Sequence, residues 1–332
     1  MNSDSISRRT ALKQTVGFSA AMLAGKLPLL SATSRLSAIG ASHYTMIGDW
    51  GKPGNMDRQK AVAKSMINYL GDLKVKPDAM FFLGDNFYGK MPGGVESPRW
   101  KTRFSDIYPR RKFPGPCYAI LGNHEYDDQP KLKIEAQRNY AKSNPRTRWS
   151  MPHKWYRLEL GPKNNPLMTV LCLDSNFSNR RDQLTPEERK EQLTWLKAEL
   201  EKPRKTKWLV VNGHHPLYSC GHYGDFPEMI EEWDELFRKH KVHFYFCGHE
   251  HDLQHLEFAD HPTSFVISGG GGAPIREPDT EQTERGPYVE GVLGFTHLEV
   301  SPDRFTVRHI DRKGKTLHAF WKNPDGTTEI AS

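Results

Sequence analysis

The sequence predicts an α/β fold in which two packed mixed β-sheets are flanked by helices, a four-layer α/β/β/α sandwich. Three observations carry this expectation. Up to His240, short apolar runs alternate with helical stretches, the rhythm of βαβ units. From Ser264 onward the pattern changes to strands without helices, which reads as a second sheet. Finally, five apolar runs each end in a glycine followed by Asp, Asn or His. In an α/β sheet the carboxyl ends of strands border a crevice where ligands bind, so such residues are able to converge there.

In order, Thr45 to Ile47, Ala79 to Leu83, Tyr118 to Leu121, Val170 to Leu173, Trp208 to Val211 and Val242 to Phe246 read as buried strands. Met56 to Leu70, Ile134 to Lys142, Pro186 to Leu200 and Glu228 to His240 read as helices between them. Pro186, followed by Glu187 and Glu188, fits a helix start, with proline in the first turn and acids at the positive dipole end. Phe265 to Ile267, Val292 to Val300, Phe305 to Ile310 and Leu317 to Trp321 complete the strands, and Lys90 to Pro98 reads as a surface loop.

The chain has 332 residues, 36% apolar and 26% charged. That excludes a disordered, collagen-like or polytopic membrane chain, and four cysteines are too few for a disulfide-built scaffold. Residues 1–41 hold +4 of the net charge of +7. They contain Arg8 and Arg9, a short apolar stretch from Val16 to Gly25 and then a Ser/Ala-rich segment. This is the layout of a cleaved export signal of the twin-arginine type, although Ala11 stands where a bulky apolar residue is usual. The expectation is a leader over 1–41, cleaved between Ala38 and Ser42, and a single domain over 42–332. The export machinery would be a partner, the destination the bacterial periplasm or the medium, and the mature chain would have no membrane span. The basic stretch Lys202 to Lys207 lacks interleaved aromatics, so nucleic-acid binding is not expected.

The five strand ends are Gly48-Asp49, Gly84-Asp85, Gly122-Asn123, Gly213-His214 and Gly248-His249. Tyr88 lies three residues beyond Asp85, and His251 alternates with His249, so that in an extended segment both imidazoles point one way. Asp49, Asp85, Tyr88, Asn123, His214, His249 and His251 exceed what one tetrahedral ion needs. They suit two neighbouring ions with Asp85 as the bridge. Phenolate and carboxylate are hard donors and imidazole suits iron or zinc, which points to Fe(III) beside Tyr88 with a divalent Fe, Zn or Mn partner.

These blocks, Gly48-Asp49-Trp50-Gly51, Gly84-Asp85-Asn86-Phe87-Tyr88, Gly122-Asn123-His124-Glu125, Gly213-His214-His215-Pro216 and Gly248-His249-Glu250-His251, occur in order. The set resembles the purple acid phosphatases, within the calcineurin-like metallophosphoesterases, and is most similar to the small tartrate-resistant type. The resemblance implies that Asp49, Tyr88 and His251 hold the iron, that Asn123, His214 and His249 hold the divalent ion, and that Asp85 bridges. His215 and Glu125 depart from the mammalian pattern, which has tyrosine and aspartate there.

A two-metal centre supplies a hydroxide and steadies the leaving oxygen, and a trivalent ion keeps that hydroxide available in acid. The expected function is therefore an exported phosphatase that hydrolyses small phosphate monoesters with an acidic optimum. His124, beside Asn123, is the candidate for orienting the phosphate or protonating the leaving group. His222 is the second candidate, matching a family histidine. A phosphodiesterase or nucleotidase on the same site, or an iron redox protein generating reactive oxygen species, are the alternatives. Among other residues, Gly269 to Gly272 reads as a flexible turn rather than a phosphate cradle, because no Gly-Lys-Ser/Thr follows. Asp252 is either a partner of a ligand histidine or a surface carboxylate. Cys172 and Cys247 read as core; Cys117 and Cys220 are open to pairing. His255, His261 and His309 default to structural or exposed roles.

Overall fold

The computed structural model describes residues 40–52, 54, 56–177, 183–278 and 285–331. The expected leader therefore lies outside the described residues, apart from Gly40 and Ala41. The elements run β1 (Ser42–Ile47), α1 (Asp57–Asp72), β2 (Ala79–Phe82), β3 (Cys117–Ala119), α2 (Pro130–Ser143), β4 (Trp149–Ser150), β5 (Tyr156–Leu160), β6 (Met168–Cys172), α3 (Pro186–Glu201) and β7 (Trp208–Asn212). There follow α4 (Pro227–Met229), a π-helical stretch Ile230–Asp234, α5 (Glu235–Lys239), β8 (Phe244–Cys247), β9 (Leu253–Leu256), β10 (Ser264–Ser268), β11 (Tyr288–Glu290), β12 (Gly294–Val300), β13 (Phe305–Asp311), β14 (Thr316–Lys322) and β15 (Thr328–Ile330).

Two mixed sheets form, in the orders β15-β14-β13-β12-β1-β2-β3-β4 and β11-β9-β10-β8-β7-β6-β5. Strand alternation builds the layers. Ala79, Phe81 and Leu83 face the core between the sheets, with Val170, Trp208, Phe244 and Phe305, whereas Met80 and Phe82 face outward under α1 and α2. In the second sheet Val170 and Cys172 point inward while Leu171 and Leu173 meet Leu196 of α3 and Trp233 on the outer side. The period-two pattern thus puts apolar side chains on both faces of each sheet, and helices must cover the outer ones. Helix α3 starts at the proline predicted. The Thr185 hydroxyl accepts from the Glu188 amide at 3.2 Å and the Glu188 carboxylate accepts from the Thr185 amide at 3.2 Å, a reciprocal cap.

The chain departs from expectation in how the strands are shared. The strands after Ser264 do not form a sheet of their own. Strand β12 pairs antiparallel with β1 from Ser42↔Val300 onward, so β12 to β15 extend the first sheet, and only β10 and β11 join the second. Helix α2 begins four residues before Ile134, at Pro130. Strands β4, β5, β9, β11 and β15 carry no uniformly apolar run and were not anticipated. None of the four cysteines forms a disulfide, and all are buried. Among the described residues no helix is long and apolar enough to cross a membrane.

One polar seam joins the sheets. His255 Nδ1 on β9 lies 3.0 Å from His318 Nε2 on β14. His309 Nε2 on β13 donates to the Gln254 carbonyl at 3.1 Å. Burial, then the neighbouring imidazoles, hold His309 and His318 down to about 3, against an ordinary 6.5. Folding therefore favours the neutral rings: their effect vanishes above pH 6.5, and stability falls as pH drops from there toward 3. Each ring should cost about 2 kcal/mol by pH 5. Urea unfolding between pH 7.5 and 5 is expected to show a shallower loss in His309→Gln; an unchanged slope would refute the seam as an acid-sensitive element.

Candidate metal centre

Strands β1, β2 and β3 run parallel in one sheet, and β7 and β8 run parallel in the other. Their carboxyl ends carry Asp49, Asp85, Asn123, His214 and His249, so the two sheets deliver these residues to one edge. Backbone bonds lock the edges together: Gly48 N–H donates to Ser268 O at 2.7 Å, and Asp49 N–H to Gly84 O at 3.2 Å. The His249 amide donates to Asp49 Oδ2 at 2.9 Å across the sheets. Glycine is required where the loops touch. Gly84 has φ +89°, and a Cβ there would lie 2.4 Å from His214 Nδ1; one on Gly122 would lie 2.3 Å from Asp85 Oδ1.

The side chains divide into two groups around Asp85. Tyr88 Oη lies 3.3 Å from Asp49 Oδ1 and 3.4 Å from His251 Nε2. On the other side Asn123 Oδ1 lies 3.2 Å from His214 Nε2 and 2.9 Å from His249 Nδ1. Asp85 Oδ1 is 3.4 Å from His214 Nε2. Asp49, Asp85 and His214 each offer a donor atom within 4.8 Å of one another, as do His214, His215 and His249. Seven predicted residues are thus brought together. The ring of His215 packs on His249 at 4.3 Å, with its Nδ1 paired to Ser175 Oγ at 2.9 Å.

Two imidazoles are fixed in tautomer by acceptors that are carbonyls. His214 Nδ1 donates to Leu83 O and His251 Nδ1 to Pro274 O, both at 2.7 Å, which leaves each Nε2 as a lone-pair donor facing the carboxylates. Burial pushes the Asp49 carboxyl well up, as does neighbouring Asp85. Burial followed by the two aspartates pushes the Tyr88 phenol up as well. Burial alone would raise Asp85, but His214 and His124 hold it below its ordinary value. Burial and neighbouring histidines press His249 well down. The polypeptide therefore presents imidazole nitrogens together with carboxyl and phenol groups whose ionised forms call for added positive charge. This donor set fits cations.

His124 stands at the open side, its ring centroid 4.1 Å from that of Tyr88 and its Nδ1 2.9 Å from Asp127 Oδ2. Nε2 lies 3.9 Å from Asp85 Oδ2. His222 is exposed and contacts Tyr223, whose own ring stacks on His249. Within that loop it is thus Tyr223, not His222, that reaches the donor set. The Gly269 to Gly272 run is a buried turn rather than a flexible one: Gly271 donates to Gly48 O at 3.2 Å, and a Cβ on Gly269 would meet Glu250 O at 1.7 Å. Asp252 is buried and accepts from Gln254 at 2.8 Å, so it is neither a surface carboxylate nor bonded to a ligand histidine. His255, His261 and His309 are buried.

Several residues support the centre; Glu125 lies within a sequence block, whereas Ser175 and Arg99 carry no sequence signal. Ser175 Oγ accepts the amides of His214 at 3.0 Å and His215 at 2.8 Å. Arg99 donates to the carbonyls of Tyr88 at 2.8 Å and Gly51 at 3.0 Å, stapling the tyrosine loop. Glu125, fully buried, accepts the amides of Gly122 at 2.8 Å and Phe87 at 2.9 Å, tying the Asn123 turn to the Tyr88 loop.

Residues 43–253 match the family described as Calcineurin-like phosphoesterase. A tartrate-resistant acid phosphatase type 5 from Mus musculus is 27% identical over 316 residues, covering 88% of this chain and 92% of that protein. Purple acid phosphatase 3 from Arabidopsis thaliana is 28% identical over 301 residues, covering 85% and 78%. Among solved structures, purple acid phosphatase PPD1 from Lupinus luteus superposes with a TM-score of 0.66 at 19% identity, covering 85% of this chain and 54% of that one. GAP50, the anchor in the inner membrane complex of Plasmodium, superposes at 0.73 with 20% identity, covering 85% and 89%. These two likenesses show the fold.

Replacing Glu125 by Ala should strand two buried amides and cost about 2–5 kcal/mol of stability in urea unfolding, with Gln retaining part of it. A loss below about 0.5 kcal/mol would remove Glu125 from the framework of the site.

Proposed function

We propose that this chain, which belongs to the calcineurin-like phosphoesterase family, hydrolyses small phosphate monoesters at a binuclear metal centre. The observation that carries the reading is the division of the donors: Asp49, Tyr88 and His251 on one side of Asp85, and Asn123, His214 and His249 on the other. The first group, holding the hard phenol, suits Fe(III), and the second suits divalent Fe, Zn or Mn, with Asp85 as the bridge. When bound, such a pair of cations activates water and offsets the charge of phosphoryl oxygens. The names of the relatives support a monoester substrate and an acidic optimum.

The chain's own residues supply the rest. The carbonyl partners of His214 and His251 hold their lone pairs toward the centre. His124, with Asp127 at its Nδ1 and its Nε2 3.9 Å from Asp85 Oδ2, is placed to give a proton to the departing alkoxide. His222, exposed and packed on Tyr223, is the second residue placed for that role. The protein acts after export to the periplasm or the medium, with residues 1–41 as the twin-arginine address.

Purified protein is expected to contain about two metal ions per chain and to show a broad visible band from tyrosinate-to-iron charge transfer. Tyr88→Phe should abolish that band; a retained band would mean another chromophore. Asp85→Asn should lose metal and at least about 100-fold in kcat, and full occupancy with full turnover would refute the bridge. Preference for a bis-ester over a mononucleotide at equal concentration would overturn the monoester assignment.

A further inference from the structure

Lys133 is a buried cation beside the candidate centre that no step above uses. It lies in the first turn of α2 and is 0% exposed. Both facts oppose a lysine: the amino end of a helix carries positive dipole charge, and an ammonium loses its hydration on burial. Burial presses Lys133 below its ordinary value, while Glu125, Asp127 and Asp128 draw it the other way. Among the described residues, however, its hydrogen bond goes to none of these carboxylates. The two oxygens of Glu125 accept the Gly122 and Phe87 amides, and the Lys133 ammonium donates to the carbonyl of His124.

That bond completes a grip on His124 through its backbone and its ring. The His124 amide donates to Asp85 Oδ1 at 2.9 Å. Its Nδ1 lies 2.9 Å from Asp127 Oδ2, and its ring centroid lies 4.1 Å from that of Tyr88. The chain between His124 and α2 is strained. Asp128 and Gln129 have φ of 46° and 71°, two successive non-glycine residues in the left-handed region that local preference opposes. Lys133 spans this turn and ties the residue before it to the helix after it. Asp85 and Tyr88 belong to the donor set, whereas Lys133 belongs to a helix, so it carries the rigidity of α2 to a loop histidine.

On the reading that His124 gives a proton to the departing alkoxide, we propose that Lys133 is a positioning residue for this reaction. It holds the His124 carbonyl so that the imidazole faces the ester oxygen as the bond to phosphorus breaks. In that step a water oxygen bonds to phosphorus and the ester P–O bond breaks, its electron pair going to the leaving oxygen. That oxygen takes the proton from His124 Nε2, and the proton lost by the water returns the imidazole to its starting form. Lys133 itself touches neither the substrate nor the donor set. Without its ammonium the His124 turn loosens, and the loss falls on proton delivery rather than on binding of the phosphoryl group. Proton delivery matters most when the leaving oxygen is strongly basic, a signature that simple destabilisation lacks.

The test compares hydrolysis of 4-nitrophenyl phosphate and phenyl phosphate by the metal-loaded protein. These esters share a ring and differ in the basicity of the oxygen released. Lys133→Met should lower kcat at least about tenfold on phenyl phosphate but less than about threefold on 4-nitrophenyl phosphate, with KM within about twofold and metal content unchanged. His124→Ala should show the same split, and the double variant should be no slower than His124→Ala alone. Lys133→Gln serves the same comparison if Lys133→Met does not fold; failure of both to fold would make the lysine a structural element and overturn the proposal. An equal fall on both esters, loss of metal, or additive losses in the double variant would also overturn it, and would leave the phosphatase reading standing. If His124→Ala itself slows both esters equally, the proton-donor assignment fails and the positioning role with it. Failure of wild type to hydrolyse either ester would instead defeat the phosphatase reading.

Discussion

Two carboxylates, Asp49 and Asp85, meet out of water at the edge where both sheets end, and the surrounding structure is arranged around that meeting. Ionised carboxylates so deeply buried cost several kcal/mol each unless something positive compensates them. At contact distance the chain supplies imidazoles, of which His249 and His251 are pressed down from their ordinary value, by burial first. Metal cations are the charge that balances this set. The same burial that makes the bare donors unfavourable strengthens their grip on a cation, because little solvent screens the attraction.

Backbone strain marks the same residues. Asp49, Asp85 and His249 have φ of 59°, 53° and 68°, the left-handed region that non-glycine residues enter at a cost of about 1 kcal/mol or more. Each follows a glycine at a strand end, and each is over-determined by its neighbours. The Asp49 side chain accepts the His249 amide, Asp85 accepts the His124 amide at 2.9 Å, and the edges are bonded through Gly48 and Ser268. The sheets therefore hold the loops in conformations that local preference opposes. That is how residues 200 positions apart come to share one hydrogen bond.

Five of the seven candidate donors stood out because each follows a strand recognisable by its apolar run, with a glycine punctuating the turn, and Tyr88 and His251 stood out by their spacing from Asp85 and His249. Fold class was legible for the same reason. What escaped has a common cause: the relevant information is pairing or packing, which one sequence does not display. Nothing in Phe295 to Val300 announces that β12 borders β1 rather than β10. Strand β9 hides because Gln254 and His255, polar residues in a buried strand, are satisfied only by partners such as Cys220 and His318. Ser175 and Arg99 act through backbone atoms of distant loops, and such contacts leave no spacing pattern; Glu125 caps its own turn at Gly122, but its second contact, with the Phe87 amide, is equally silent in the sequence. The Gly269 to Gly272 run was recognisable as glycine-rich, but its reason, close backbone approach to Gly48 and Glu250, belongs to the folded state.

The fold by itself would not support a phosphatase. Two packed sheets with outer helices is an architecture also found in GAP50, the anchor in the inner membrane complex of Plasmodium, and folds host unrelated functions. The discriminating feature is the chemistry of the edge. A purely structural protein has no need for three imidazoles, two carboxylates, a phenol and an amide oxygen gathered in a nearly dry crevice. Such groups destabilise the fold unless they bind something, and random substitution would relieve that cost at any one of them. Their joint presence, with Arg99, Ser175 and Glu125 each committed to holding the loops that carry them, favours a centre that binds and acts over a surface that merely docks.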